Sequence, residues 1–254
     1  MGLLSLDSCT IKFGGLTAVE NLTIDIAGND LAGLIGPNGA GKTTVFNMIT
    51  GVYRPTSGNI AFNTRRIVGL KPHEIAKLGI ARTFQNIRLF PSLTVYETVQ
   101  AAFNKNIEYG FMQAVGRVGS YQREENKIAS NVMEILEIFS LTDVKDEIAV
   151  SLPYGSQRRV EIVRALATRP KLLLLDEPAA GMNSSEKIAL VKLIKSIKDR
   201  FDISILIIEH DMRVIMNICE RIMVLNYGIM IAQGTPLEIR NNPSVIEAYL
   251  GEQV

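Results

Sequence analysis

GPNGAGKTT, residues 36–44, decides how the rest of the chain is read. It matches G-x-x-x-x-G-K-[ST], with the short apolar run DLAGLIG (30–36) before it and the helix-like KTTVFNMIT after it. Gly36, Gly39 and Gly41 let the backbone curl so that successive N–H groups face inward. Pro37, Asn38 and Ala40 fill out the loop, and a helix opening at Lys42, Thr43 and Thr44 adds its positive dipole end. Lys42 supplies a point charge for nucleotide phosphates and Thr43 a hydroxyl for Mg²⁺. A strand, a phosphate cradle and a helix in this order predict an α/β domain.

The cradle needs a carboxylate partner, and LLLLDEP (172–178) supplies it. Four apolar residues form a buried strand with acids at its C-terminal end, the edge at which open α/β sheets bind ligands. Asp176 is placed to hold Mg²⁺ through water, and Glu177 to orient or deprotonate an attacking water. From 156 onward the pattern is regular: helix 156–168, strand 171–176, helix 184–200, strand 203–208, helix 211–218, strand 220–226. Earlier, residues 3–12, LTIDIAG and IARTF (80–84) read as strands, and VYRPTSGNIAF as a turn entering a strand; 94–103 and 121–139 read as helices. The stretch between those two helices has no clear period. The expected architecture is a mainly parallel sheet. In helix 186–200, Ile188, Val191, Leu193 and Ile194 are expected on the apolar side and the lysines on a solvated one.

Composition narrows the functions. With 254 residues, 47% of them hydrophobic, the chain can build a real core. A net charge of +1 gives no basic field, so no nucleic-acid partner is expected. Two cysteines without a CxxC, and two histidines, argue against zinc or a disulfide framework and fit a reducing compartment. MGLLSLDSCT does not read as a signal peptide or, with Leu6, as a myristoylation site, so neither is expected. No apolar run approaches the roughly 20 residues of a membrane-spanning helix.

Taken together these motifs resemble the ATP-binding subunits of ABC transporters, nearly end to end. The resemblance implies an ABC ATPase fold: a P-loop core with a mainly parallel sheet (1–86 and 166–234), an N-terminal antiparallel β subdomain, a helical insertion at 87–165 and a C-terminal extension at 235–254. It implies ATP and Mg²⁺ as ligands. Gln85, ending ARTFQ, takes the place of the glutamine that senses Mg²⁺ and links to the membrane subunit. His210 in IIEHDM matches the switch histidine at the γ-phosphate, and Phe13, with Val19 beside it, the adenine-stacking position. AAGMNSS (179–185) matches the loop containing Gly181, Met182 and Asn183, where many members carry Asp instead of Asn183. Residues 92–103 are expected to help form the groove for a helix of the membrane subunit.

The family's L-S-G-G-Q signature aligns with Leu152, Pro153, Tyr154, Gly155 and Ser156, followed by Gln157. In the family this loop caps ATP held by a second subunit in a head-to-tail dimer. Pro153 has neither hydroxyl nor N–H, and Ser156 stands where Gln is usual. Gly155, the amides near Ser156 and the helix dipole remain. Losing one charge-assisted hydrogen bond implies roughly 1.5–3 kcal/mol less hold on the partner's ATP. The expectation is therefore a heterodimer of unequal sites, docked on membrane-spanning subunits at the cytoplasmic face. ARTFQNIRLFPSLTVYETV and GTPLEIRNNPSVIEAYLG resemble the branched-chain amino acid importer branch, with urea and lipopolysaccharide-export ATPases as relatives. A DNA-repair head is disfavoured, because Gln85 to Leu152 leaves no room for a long coiled coil. NKNI (104–107) lacks the Asp of a GTPase base reader.

Overall fold

The computed structural model describes residues 2–103 and 120–250. The aperiodic stretch 104–119, NKNI included, lies outside the described residues, as do residue 1 and 251–254. The chain divides into two compact units, Met1–Gln85 with Lys171–Val254, and Asn86–Pro170.

The first unit contains two sheets. In the antiparallel one, β1 (Leu4–Phe13) lies between β2 (Leu16–Ile26) and β4 (Ser57–Phe62), with β5 (Arg65–Arg66) at the edge beside β4. Leu4, Leu6, Cys9 and Ile11 face inward from β1, and Leu22, Ile24 and Ile26 from β2. LTIDIAG was expected to begin a strand at 22, but β2 starts six residues earlier. The Gly14–Gly15 turn closes a hairpin and pairs Phe13 with Leu16.

The second sheet has the order β10–β9–β3–β8–β7–β6, formed by β3 (Leu31–Ile35), β6 (Ile80–Arg82), β7 (Leu172–Asp176), β8 (Ser204–Ile208), β9 (Arg221–Asn226) and β10 (Ile229–Gly234). It is parallel apart from the β9–β10 hairpin. Every residue of β3, β7 and β8 is buried, as a parallel sheet covered on both faces requires. Leu34 and Asp176 both pair with Ile208, so β3, β7 and β8 end side by side. Three loops therefore leave the sheet at one edge: 36–41, the segment after Asp176, and the segment after Ile208.

Around this sheet run α1 (Lys42–Ile49), α2 (Pro72–Leu78), α6 (Ser184–Phe201), α7 (Met212–Ile218), α8 (Pro236–Arg240) and α9 (Pro243–Leu250), numbered with the helices of the other unit. In α6 the buried stripe is Leu190, Ile194 and Ile197. Ile188 is 60% exposed, which corrects the expected face by about a quarter turn. The sheet fixes the rotation of this helix, and the local pattern is too weak to do so. The C-terminal capping pattern is present, with Thr235 and Glu238 in a reciprocal box, but two short helices follow it.

The second unit is helical: α3 (Val95–Phe103), α4 (Ser120–Ile138) and α5 (Tyr154–Ala167), with 3₁₀ turns at Thr142–Val144 and Ala149–Ser151. Val95, Val99, Val132, Leu136, Val160 and Val163 build its core.

Candidate nucleotide site

The loop after β3 is wedged between strands, and its glycines are required. Gly36 and Gly41 have φ of 148° and 99°. A Cβ on Gly36 would stand 2.0 Å from the Leu225 carbonyl oxygen, and one on Gly41 2.6 Å from that of Ala18. The Lys42 ammonium is buried and donates to the carbonyls of Gly36 and Pro37, 2.7 Å each. Its charge is thereby drawn across the loop mouth. The loop borders a cavity of about 590 Å³ lined by Phe13, Leu16, Thr17, Ala18, Asn38 to Thr44, Gln85, Glu177, His210 and Tyr227. That size suits a small-molecule ligand.

Of the residues expected to hold the nucleotide and its metal, Gly36, Pro37, Asp176 and Val19 are outside this lining. Val19 is fully buried in β2 and does not line the cavity. Its side chain packs into the core, and Leu16, Thr17 and Ala18 form that wall. Phe13 is 44% exposed, its ring edge-on to Tyr53 at 5.1 Å. Nothing in the spacing of Phe13 and Tyr53 predicts this pairing. Tyr227 was missed as well. It sits in the β9–β10 turn at φ 45°, beside Gly228, whose N–H donates to the Ala40 carbonyl.

The segments after β6, β7 and β8 bring Gln85, Glu177 and His210 into one hydrogen-bonded chain. Glu177 Oε2 accepts from Gln85 Nε2 at 2.9 Å, and His210 Nε2 is 2.5 Å from Glu177 Oε1. Glu177 takes φ 48°, and its N–H donates to the Ile208 carbonyl. A non-glycine residue in the left-handed region stores strain, and such residues cluster at functional sites. Next to His210, Glu209 is buried and accepts from the N–H groups of Ala179 (2.6 Å) and His210 (3.2 Å). Burial pushes its carboxyl pKa up, and these backbone donors oppose the rise. Glu209 thus ties the loop after β8 to the loop after β7.

Asp176 is buried at the end of β7 and ion-paired with Arg82 at 2.8 Å. Its main-chain N–H donates to Thr83 Oγ1. Asn183 caps α6, accepting from Glu186 N–H at 3.0 Å. Asn and Asp cap a helix about equally well, so Asn183 costs nothing there. Gly181, at φ 73°, turns the chain toward this cap, and Met182 is buried beneath it.

In the helical unit α5 begins at Tyr154, two residues earlier than expected, with Pro153 as its cap. The Pro153 carbonyl accepts from the N–H groups of Ser156 (2.9 Å) and Gln157 (3.0 Å). The Ser156 amide, expected to face a phosphate, is therefore engaged inside the first turn, and the Ser156 hydroxyl accepts from Arg159. The Gln157 side chain holds the loop by donating to the carbonyls of Val150 and Leu152. The two arginines opening this helix serve the unit itself. Arg158 is fully buried against Glu161 at 2.7 Å and donates to Tyr154 Oη, while Arg159 reaches the Phe139 carbonyl.

Comparison with known proteins gives concordant likenesses. Residues 19–180 match the family described as ABC transporter, and residues 230–254 that described as branched-chain amino acid ATP-binding cassette transporter. The chain is 43% identical to the high-affinity branched-chain amino acid transport ATP-binding protein LivG of Escherichia coli, over 98% of each chain. It is 42% identical, at the same coverage, to BraF of Pseudomonas aeruginosa, described in the same words. The lipopolysaccharide export system ATP-binding protein LptB of Haemophilus influenzae is 34% identical over 100% of this chain and 99% of its own. Among solved structures, an ATP-binding cassette of an ABC transporter superposes with a TM-score of 0.84 at 30% identity, covering 98% of this chain and 99% of that one.

Proposed function

The chain belongs to the ABC transporter family, and from that membership we propose that it is the ATP-binding, ATP-hydrolysing subunit of an importer of branched-chain amino acids. The observation that carries the hydrolytic reading is the Glu177 carboxylate, gripped by Gln85 and His210 in the cavity that the Lys42 loop borders. The cargo reading is supported by the identity to LivG and BraF and by the match over 230–254. The lipopolysaccharide-export relative is more distant.

In this reading Phe13 stacks on the adenine, and the amides of Asn38 to Thr44 cradle the phosphates. Lys42 exchanges the Gly36 and Pro37 carbonyls for phosphate oxygens. Glu177, oriented by Gln85, aligns a water and accepts its proton as the oxygen attacks the γ-phosphorus in line. The bond to the β–γ bridging oxygen breaks, releasing ADP and phosphate. Lys42 and His210 stabilise the charge that builds up. Thr43, Gln85 and Asp176 present only oxygen donors, the set that suits magnesium shared with phosphates. They would hold Mg²⁺, whose chemistry there is to neutralise phosphate charge. Among the described residues no three His, Cys, Asp or Glu form a metal cage.

The partners in this proposal are membrane-spanning subunits, at least partly received by 92–103, and a second ATP-binding subunit in a head-to-tail pair. The place of action is the cytoplasmic face of the membrane. No helix among the described residues is long and apolar enough to cross one.

Glu177→Gln is expected to lower steady-state ATP turnover by about 10²–10⁴-fold while leaving ATP binding intact. Turnover at the parent rate overturns the assignment. Proteoliposomes containing the cognate membrane subunits and binding protein are expected to take up labelled leucine only with this chain and ATP. Absence of uptake with a functional ATPase removes the cargo reading and leaves the enzyme.

A further inference from the structure

Arg82 lies on β6, the edge strand beside β7, and its guanidinium is almost enclosed. Nη2 donates to Asp176 Oδ2 at 2.8 Å, and Nη1 donates to Asn47 Oδ1 of α1 at 2.7 Å, with Thr50 Oγ1 at 3.4 Å. The guanidinium carbon lies 5.4 Å from the centre of the Phe46 ring and 5.5 Å from that of Phe84. The two charged side chains are 9% and 3% exposed. A planar fork between two aromatic faces is something arginine can form and lysine cannot. The group joins the strand that carries Asp176 to the helix that opens at Lys42 and Thr43. A buried carboxylate held this way is confined to one rotamer.

We propose that Arg82 is a positioning residue for the metal–nucleotide site. By occupying Oδ2 it fixes Asp176 with Oδ1 left for the ion, and through Asn47 it locks that carboxylate in register with the phosphate loop. This rests on the reading of Asp176 as a metal-holding residue. A partner that orients a ligating carboxylate typically changes metal affinity about 10–100-fold.

The test is an equilibrium titration of Mg²⁺ against binding of a fluorescent ATP analogue, on the full chain, with a parallel titration in EDTA. Arg82→Met is expected to raise the half-saturating Mg²⁺ by about 10–100-fold and to leave metal-free nucleotide binding unchanged. Arg82→Lys keeps the charge without the fork and is expected to recover part of the shift. Asn47→Ala leaves the buried ion pair in place, so it reports even if Arg82→Met does not fold. Its expected shift has the same sign and is smaller. An unchanged half-saturating Mg²⁺ in Asn47→Ala and Arg82→Lys overturns the proposal. So does a fall, because the guanidinium would then be a competitor of the ion. Asp176→Asn separates the two readings. If it shifts the Mg²⁺ dependence and the Arg82 and Asn47 variants do not, only the inference fails. If it shifts nothing, the assignment of Asp176 falls and takes the inference with it.

Discussion

Phe13 is an apolar ring left 44% exposed in the lining of the cavity, braced edge-on by Tyr53. A flat aromatic partner for such a ring is worth about 1–3 kcal/mol when a base stacks on it. Phe13→Ala is accordingly expected to raise the dissociation constant for ATP, measured by equilibrium fluorescence, by that amount, with turnover at saturating ATP little changed. An unaltered constant would remove Phe13 from the site. At this scale, legibility followed local spacing. Lys42, Thr43, Asp176 and Glu177 each belong to a short motif whose chemistry forces the residue type. Arg82 and Tyr53 do not, because their partners Asp176 and Phe13 are remote in sequence and meet them only once the sheets are built. Val19 shows the same limit from the other side: one residue along β2 separates a wall of the cavity from the core. Cys9 and Cys219 are buried and unpaired, and burial raises both thiol pKa values, so neither is primed to react.

Among the elements, the helices flanking the site are fixed by their first turns. Asp211 caps α7 by accepting from Arg213 N–H at 2.9 Å and pairs with Lys187 of α6 at 2.8 Å. The hydrogen bond from Lys187 leads the causes that lower its pKa. Because the folded value is depressed, the pair contributes fully above the ordinary aspartate range and is lost as pH falls through the lowered value. Both side chains are nearly a third exposed, which limits the pair to about 0.2–1 kcal/mol. Asp211→Asn keeps a capping oxygen and is expected to lose only that at neutral pH in denaturant titrations. Its stability should converge with the parent in acid. Asp211→Ala is expected to lose about 1 kcal/mol more, at every pH. A pH-independent deficit in Asp211→Asn would show that the ion pair is inert. The long helices and buried strands of the second half were legible because their apolar runs and caps agree. The short α2, the two-residue β5 and β10, the return strand of the hairpin, were not: each is held by sheet pairing or by one turn, and too few residues carry a period.

For the whole molecule, the strand order sets the site, since parallel β3, β7 and β8 deliver three loops to one edge. That convergence was legible once two phosphate motifs were seen to end predicted strands. The behaviour of the helical unit toward a second subunit was not, because it turns on where α5 begins. With Pro153 as cap and the Ser156 amide engaged in the first turn, the loop offers fewer donors than its sequence suggested. A serine at 153 would bring a hydroxyl and an N–H to that position, and charge-assisted donors of this kind are worth roughly 1.5–3 kcal/mol each. The Glu177→Gln chain, which retains ATP, is therefore expected to sediment as a monomer with Mg²⁺ and ATP. Adding Pro153→Ser is expected to produce an ATP-dependent dimer, with the Lys42→Ala triple variant as the monomeric control. A stable ATP-dependent dimer of Glu177→Gln alone would mean that the Pro153 loop closes on ATP as it stands, and that the chain needs no different partner to complete its two sites.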